Sequence, residues 1–395
     1  MSPNRVVMCH TFLMTRFAKR LDQIEMSGIR KIFELSRGMT DAVDLSLGQP
    51  HFDTPPEVKK AAIKAIEEGH NRYTVTQGRP DLREALNADL EKNFGFKKGL
   101  SMATSGAAGG LFLALAALIE EGDEVIVPDP YFVLYSHLVR FFGGTPVLLD
   151  TYPDFRVTPE KIEELVSPRT RMLLFNNPVN PTGIAYTKEE VAGIAGVAKK
   201  HNLLLLSDEI YSAFSYDFPH ESMMRHHEDT ILVGGFSKTY AIAGWRLGFA
   251  AGPEEIINKM SMMQQVSYVC APSAAQVAGI TALDLDMSSY IEPYKKKRDM
   301  VYEGLKDNFE LVRPQGAFYI FPKCPRPEQT MLRRTLDAVG EGADQEFVRR
   351  SVENKVLVVP GSACSKNHTH FRLSFAASDE DLKRGIDILN RIARY

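Results

Sequence analysis

The chain has 395 residues, 44% hydrophobic and 25% charged, an ordinary globular composition with enough length to bury the cores of two domains. Its formal net charge of -3 leaves no basic footprint for nucleic acid, and no apolar run approaches the roughly 18 residues of a membrane-spanning helix, so neither nucleic acid nor a bilayer is an expected partner. The four cysteines, Cys9, Cys270, Cys324 and Cys364, form no CxxC pair, which argues against a disulfide framework or a zinc knuckle and for a reducing, cytoplasmic compartment.

At the start of the chain Arg5, Arg16, Lys19 and Arg20 occur without an acid among them. A transit peptide and a simple N-terminal arm both fit that composition, and the arm is the preferred reading. Residues 22–36 carry Ile24, Ile29, Ile32 and Phe33 at helical spacing, and a strand-like stretch follows around Gly48, whose missing side chain suits a turn that exposes backbone. Pro55-Pro56 opens an amphipathic helix and Pro80 opens another, with Tyr73 in the loop between them. The small residues Ser105, Gly106, Ala107, Ala108, Gly109 and Gly110 then precede the apolar run LFLALAALI. They place free N–H groups at a helix N-terminus, where anions are attracted, although small residues also serve close helix packing.

Five short apolar runs follow, at 124–128, 146–149, 171–175, 203–207 and 231–233, most of them separated by helix-like segments. That alternation predicts an α/β protein with a parallel sheet and crossover helices. In such sheets ligands gather at the carboxyl ends of the strands, and the chemically interesting residues fall there. Phe132 and Tyr135 follow the first run, Asn180 the third, Asp208 and Tyr211 the fourth, and Lys238 the fifth.

Lys238 organises the rest. It follows a buried strand and the sharp Gly234-Gly235 turn, a setting that desolvates an amine, makes its neutral form accessible and lets it condense with an aldehyde. Ser237 and Arg246 beside it supply a hydroxyl and a guanidinium fork for an anion, so aldehyde and phosphate together describe pyridoxal phosphate. A lone Ser-Lys is more often a solvated surface pair. A nucleotide-binding P-loop is ruled out because Ser237 stands where that motif requires glycine before the lysine.

Beyond 253 the chain reads as methionine-rich and small-residue helices, then a charged helix over 290–308 whose KKKR at 295–298 is expected to be a solvated face bridging two lobes. Short strands and helices in the remainder predict a smaller α/β lobe. His226-His227 and the pair His368 and His370 lack a carboxylate or cysteine at ligand spacing, so no metal site is expected.

The motifs NPVNPTG, SDEIYSAF, SKTYAIAGWRLGF and FRLSF, in this order, resemble those of pyridoxal-phosphate-dependent aminotransferases of class I/II, over nearly the whole chain. The resemblance implies fold type I: a large domain, residues 46–290, with a mostly parallel seven-stranded sheet, and a smaller α/β domain from residues 1–45 and 291–395. It also implies a homodimer. By this resemblance Lys238 bears the cofactor and shuttles the proton, Asp208 pairs with the pyridine nitrogen, Tyr211 and Asn180 bond the phenolic oxygen, and Phe132 stacks on the ring. Gly106, Ala107, Ala108, Ser237 and Arg246 bind the phosphate, joined by Tyr73 from the other subunit. Arg372, Gly48 and Asn180 hold the substrate carboxylate.

The implied activity is amino transfer between an L-amino acid and a 2-oxo acid by two half-reactions, of aspartate, alanine or aromatic type. Two departures bear on it: Ala108 stands where dicarboxylate-preferring relatives often carry a cation, and PGSACSKNHTH before Arg372 lacks the usual glycines. The rivals are a carbon-sulfur β-lyase on the same scaffold and a ligand-sensing regulator. The second is disfavoured because the short arm before Leu21 has no room for a DNA-binding module.

Overall fold

The computed structural model describes residues 18–24, 39, 41–325 and 342–394. Residues 1–17 of the basic N-terminal arm, with Arg5, Cys9 and Arg16, and all but the first three positions of the helix expected over 22–36 lie outside the described residues, while Lys19 and Arg20 begin a short 3-10 helix, Lys19–Gln23.

Twelve strands are described: β1 (Val43–Asp44), β2 (Leu100–Ser105), β3 (Glu124–Asp129), β4 (Thr145–Asp150), β5 (Thr170–Asn176), β6 (Leu204–Asp208), β7 (Thr230–Gly235), β8 (Leu247–Gly252), β9 (Tyr319–Ile320), β10 (Val356–Leu357), β11 (Val359–Pro360) and β12 (Phe371–Ser374). Seven form one sheet in the order β2-β8-β7-β6-β5-β3-β4, parallel throughout except for β8, which is antiparallel to both neighbours. The five apolar runs of the sequence are β3 to β7. The apolar-run pattern did not mark β2 or β8, because their small residues, LSMATS and LGFAAG, carry too little hydrophobic bulk to stand out.

Both faces of the sheet are covered. Val125, Val127, Met172 and Leu174 pack with Leu111 and Leu115 of the helix Gly106–Leu118, whereas their neighbours Ile126, Leu173 and Phe175 pack with Val191 and Ile194 of the helix Lys188–Lys200. Alternate strand residues face opposite sides, and helices on both sides make every position apolar, which is why these strands read as continuous runs. Local signals start the helices. Thr187 and Glu190 form a reciprocal capping box on the helix Lys188–Lys200, and prolines occupy the first turn of the helices Pro56–Glu67 and Pro80–Phe94.

A second layer contains the antiparallel sheet β11-β12-β9 and the parallel pair β1-β10. Its core joins Leu45, Phe318, Phe347, Phe371 and Leu382 to Ile210 and Phe214 from the segment after β6. The KKKR segment lies in the helix Ser288–Leu305, and here the structure corrects the solvated-face reading: Lys297 and Arg298 are buried. Arg298 donates to both carboxylate oxygens of Asp217 at 3.0 and 3.1 Å and to the Pro314 carbonyl at 2.6 Å, while Lys297 reaches the Ala377 carbonyl and Asp379. Every donor direction that matters is answered, so burial of these cations is sustained.

Candidate active site

The carboxyl ends of the parallel strands meet the second layer at one edge. Because β8 runs antiparallel, Gly248 faces Gly235 and Leu247 faces Ser105, and the residues just before β8 arrive at that same edge. Arg246, immediately ahead of β8, has φ 56°, a left-handed conformation that costs a side-chain-bearing residue roughly 1–2 kcal/mol. That turn sends its guanidinium back to Ser105, whose carbonyl accepts from Nη2 at 3.3 Å, while Nη1 donates to the Ala243 carbonyl at 3.0 Å. Gly106, with φ 69°, begins the helix Gly106–Leu118, and a Cβ there would lie 2.5 Å from Arg246 Nη2. Free backbone N–H groups and a guanidinium therefore share one small concavity, a fitting cradle for a phosphate. Ser237 is buried beside Lys238, on the one-turn helix Phe236–Thr239 after β7.

Lys238 is half-buried, and its Nζ donates to the Gly48 carbonyl. Burial, then the charges of Arg372 and Arg246, push its pKa down to about 8 against the opposing pull of Asp208. Asp208, the last residue of β6, is buried, and desolvation raises its carboxyl to about 6 although the Tyr135 hydroxyl (2.8 Å) and the Ile210 N–H (3.2 Å) both donate to it. Asn180 follows β5, and its backbone N–H donates to the side chain of Asn176 at 2.8 Å. Its own carbonyl oxygen accepts from Arg372 Nη1 at 3.2 Å.

Arg372 projects from β12, is buried, and donates through Nη2 to the Ser46 carbonyl at 2.8 Å, leaving Nε with no hydrogen-bond partner among the described residues. Its guanidinium lies over the Tyr319 ring, 4.7 Å from the centroid. Tyr319 in turn meets Tyr211 hydroxyl to hydroxyl at 2.8 Å, and a Cβ on Gly48 would lie 2.7 Å from that Tyr319 oxygen, so glycine is required for the close approach. Phe132 is half-buried and packs edge-to-face on Tyr135 at 5.6 Å.

An amine shifted toward neutrality, a buried carboxylate, a phosphate cradle and an unpartnered buried guanidinium nitrogen together fit a phosphorylated aldehyde with a ring nitrogen, and an amino acid beside it. The family model described as "Aminotransferase class I and II" matches residues 40–389. The chain belongs to the class I and II aminotransferases. Among its relatives, the probable aspartate aminotransferase of Methanocaldococcus jannaschii is 36% identical over 387 residues, covering 95% of this chain and 99% of the relative. The aromatic-amino-acid aminotransferase 2 of Thermococcus litoralis is 35% identical over 392 residues, covering 95% and 97%. Among solved structures, the aspartate aminotransferase from Thermus thermophilus with maleate matches with a TM-score of 0.88 at 34% identity, covering 95% of this chain and 99% of that one. This aminotransferase is a pyridoxal-phosphate-dependent enzyme acting on amino acids and 2-oxo acids, with the fold type I architecture.

Lys238, Asp208, Tyr211, Asn180, Gly48 and Arg372 come together around one centre, with the guanidinium of Arg246 against Gly106 close by. Tyr73 stands elsewhere, 84% exposed, in a surface cleft with His70, Arg79 and Ser273. Sequence reasoning placed Tyr135 at the strand ends without giving it a role, and did not assign Tyr319 or Tyr268 to the site. Tyr268 accepts the Ser105 N–H at 3.3 Å, and a Cβ on Gly109 would lie 2.8 Å from its hydroxyl oxygen, so it packs against the segment Ser105–Gly109 that starts the helix. For Tyr135 the available signal was its place three residues after Phe132, one helical turn along the helix Leu134–Phe141 that leaves β3.

Proposed function

We propose that this aminotransferase binds the cofactor phosphate on the backbone of Gly106, Ala107 and Ala108 with Ser237 and Arg246, the ring against Phe132, the ring nitrogen on Asp208 and the phenolic oxygen on Tyr211 and Asn180, with Lys238 as the attachment point. The observation that carries this reading is the setting of Lys238, a half-buried amine pushed to about 8 by burial and by the nearby arginines. When bound, pyridoxal phosphate supplies an aldehyde carbon that takes up the amino group and a ring that draws electrons from the substrate Cα. Lys238 Nζ, as the neutral amine, accepts the proton leaving that Cα. The Asp208 carboxylate keeps a proton on the ring nitrogen. Arg372 clamps the substrate α-carboxylate, oriented by the Ser46 carbonyl and Asn180, with the backbone at Gly48 closing that end.

The names of the relatives point to aspartate and to aromatic donors. With Ala108 in place of a cation at the phosphate loop, aromatic amino acids are the donors we favour. A panel of donors with 2-oxoglutarate tests this; a higher kcat/KM for aspartate than for phenylalanine or tyrosine would reverse it. Pyruvate released from cysteine conjugates without a 2-oxo acid acceptor would mark a β-lyase instead. Borohydride reduction of the holoenzyme followed by peptide mapping tests the attachment point: a pyridoxyl group on any lysine other than Lys238 overturns the assignment.

The same reading extends to assembly. A homodimer is supported by exposed Ile63, Ile66, Val75, Met262 and Val266 near the loop that carries Tyr73, which would complete the partner's phosphate site. Residues 46–290 form the large domain and residues 1–45 and 291–395 the small one. A cytoplasmic location is supported by free thiols at Cys270, Cys324 and Cys364; among the described residues, no helix is long and apolar enough to cross a membrane.

A further inference from the structure

The turn that joins β11 to β12 is flanked by two fully buried carboxylates, Asp129 at the end of β3 and Asp344 in the helix Ala343–Glu353. Val359 of β11 pairs with Arg372 of β12, so the turn and Arg372 belong to one hairpin. On the side of the small sheet, the Ser362 N–H donates to Asp344 at 2.7 Å. The opposite side crosses to the seven-stranded sheet. There the Lys366 N–H donates to Asp129 Oδ2 at 3.3 Å, and the Ser365 hydroxyl lies close enough to the same carboxylate to lower its pKa against the rise that burial imposes. Ser365 Oγ is also 2.9 Å from the Tyr152 hydroxyl, and the Tyr131 N–H donates to the Cys364 carbonyl at 2.7 Å.

Asp129 itself is rigidly held, because its carbonyl accepts from both the N–H and the hydroxyl of Thr151, at 3.2 and 2.7 Å. Among the described residues, its carboxylate takes its hydrogen bond from the turn, and Oδ1 has none. Burying such a carboxylate is costly, and among the described residues no cation forms an ion pair with it to offset the cost. A neutral or apolar residue would serve β3 better. The carboxylate is explained by what it grips.

We propose that Asp129 is a positioning residue for substrate binding: it latches the 359–372 hairpin onto the sheet and thereby sets where Arg372 stands relative to Phe132 and Lys238. Phe132 lies three residues beyond Asp129 on the same strand exit, so one short segment fixes the ring side of the site and the carboxylate side together. Asp129 touches neither substrate nor cofactor. The inference rests on the proposed role of Arg372, and small displacements of a binding group weaken its contacts steeply.

The test uses the holoenzyme. Asp129→Ala is expected to raise KM about tenfold for every amino donor with kcat within about twofold, and to weaken inhibition by the non-reacting 3-phenylpropanoate by the same factor. Amide hydrogen exchange over residues 362–368 should accelerate. Asp129→Asn, which keeps an acceptor oxygen for the Lys366 N–H, should stay within about threefold of the parent. In an Arg372→Ala background, Asp129→Ala should add nothing, since both changes remove one carboxylate contact. Unchanged KM and exchange in Asp129→Ala, or an equal loss in the Arg372→Ala background, overturns the proposal. If Arg372→Ala itself binds 3-phenylpropanoate normally, the role of Arg372 falls and the latch's purpose with it; if Arg372→Ala is impaired and Asp129→Ala is not, the latch alone falls. Should Asp129→Ala not fold, Ser365→Ala combined with Tyr152→Phe removes the grip from the other side, and the same pattern is required of it.

Discussion

Tyr135 donates its phenolic hydrogen to Asp208 Oδ2 across 2.8 Å in a fully buried setting. Burial, then the Asp208 charge, drive the Tyr135 pKa well above its usual value, so it remains a donor at every working pH. The bond favours the charged carboxylate, the form needed to hold a proton on a ring nitrogen. Tyr135→Phe removes that donor without changing the ring. A hydrogen bond to a charged group is worth about 2 kcal/mol, so kcat/KM should fall roughly 30-fold. An unchanged kcat/KM would mean that Asp208 needs no such support.

Asp208 also sets a pH dependence of folding. Its folded pKa is raised, from 3.8 to about 6, so the folded protein binds this proton more tightly than the unfolded chain. The stability it contributes is therefore fully present below about pH 4 and is lost as pH rises through about 6, a change of about 3 kcal/mol. Urea unfolding of the cofactor-free protein should show this loss when compared with Asp208→Asn, which has no carboxyl to ionise. A difference between the two that is flat across this range would contradict the raised pKa.

Arg372 makes the clearest case for binding. Truncation to alanine leaves a substrate carboxylate without its fork in a desolvated site and should cost about 3 kcal/mol in kcat/KM for all amino donors alike. Arg372→Lys keeps the charge but not the two parallel donors, and should recover only a minor part. Equal kcat/KM for the parent and the alanine variant would rule out the clamp.

The proposed dimer predicts complementation. Lys238→Ala and Tyr73→Ala chains, each inactive alone, should regain activity when unfolded together and refolded, because hybrid dimers contain one site with both residues intact. Activity at a concentration where sedimentation finds only monomers would exclude a shared site.

Arg298 is a test of stability away from the chemistry. Its guanidinium is fully buried against Asp217, and Arg298→Met strands that carboxylate while removing the link between the helix Ser288–Leu305 and the segment after β6. Breaking such a pair costs about 3 kcal/mol or more, read as a lower midpoint in urea. An unchanged midpoint would show the pair to be replaceable.

How much of this was legible in the chain depended on whether the signal was local. Lys238, Ser237 and Arg246 sit within one short stretch, and Asp208 and Tyr211 within another, so spacing along the sequence reports their chemistry directly. Arg298 and Lys297 hide inside KKKR, because nothing in a charge run tells which cations are buried; that is decided by Asp217 and Asp379, 81 and 82 residues away. Tyr319 and Tyr268 were invisible for the same reason, and Tyr135, though placed at a strand end, showed no role. A tyrosine carries no motif, and its role comes from the neighbour that the fold brings to its hydroxyl. The parallel strands announced themselves because both of their faces are covered, whereas β8, with glycine and alanine at most positions, was readable only through the motif that precedes it.

The antiparallel seat of β8 has a consequence for biosynthesis. Ser105 and Arg246, whose carbonyl and guanidinium meet beside the site, are 141 residues apart. At roughly 5–20 residues per second, a ribosome delivers that arginine on the order of ten seconds after the serine. During that interval β2 has no strand beside it, since β8 is its neighbour in the sheet, and its open edge is available to any other chain. A message truncated before the codon for Arg246 would therefore yield a polypeptide that possesses the whole glycine-rich loop, lacks the guanidinium that faces it, and leaves the emerging sheet unsealed for chaperones to guard.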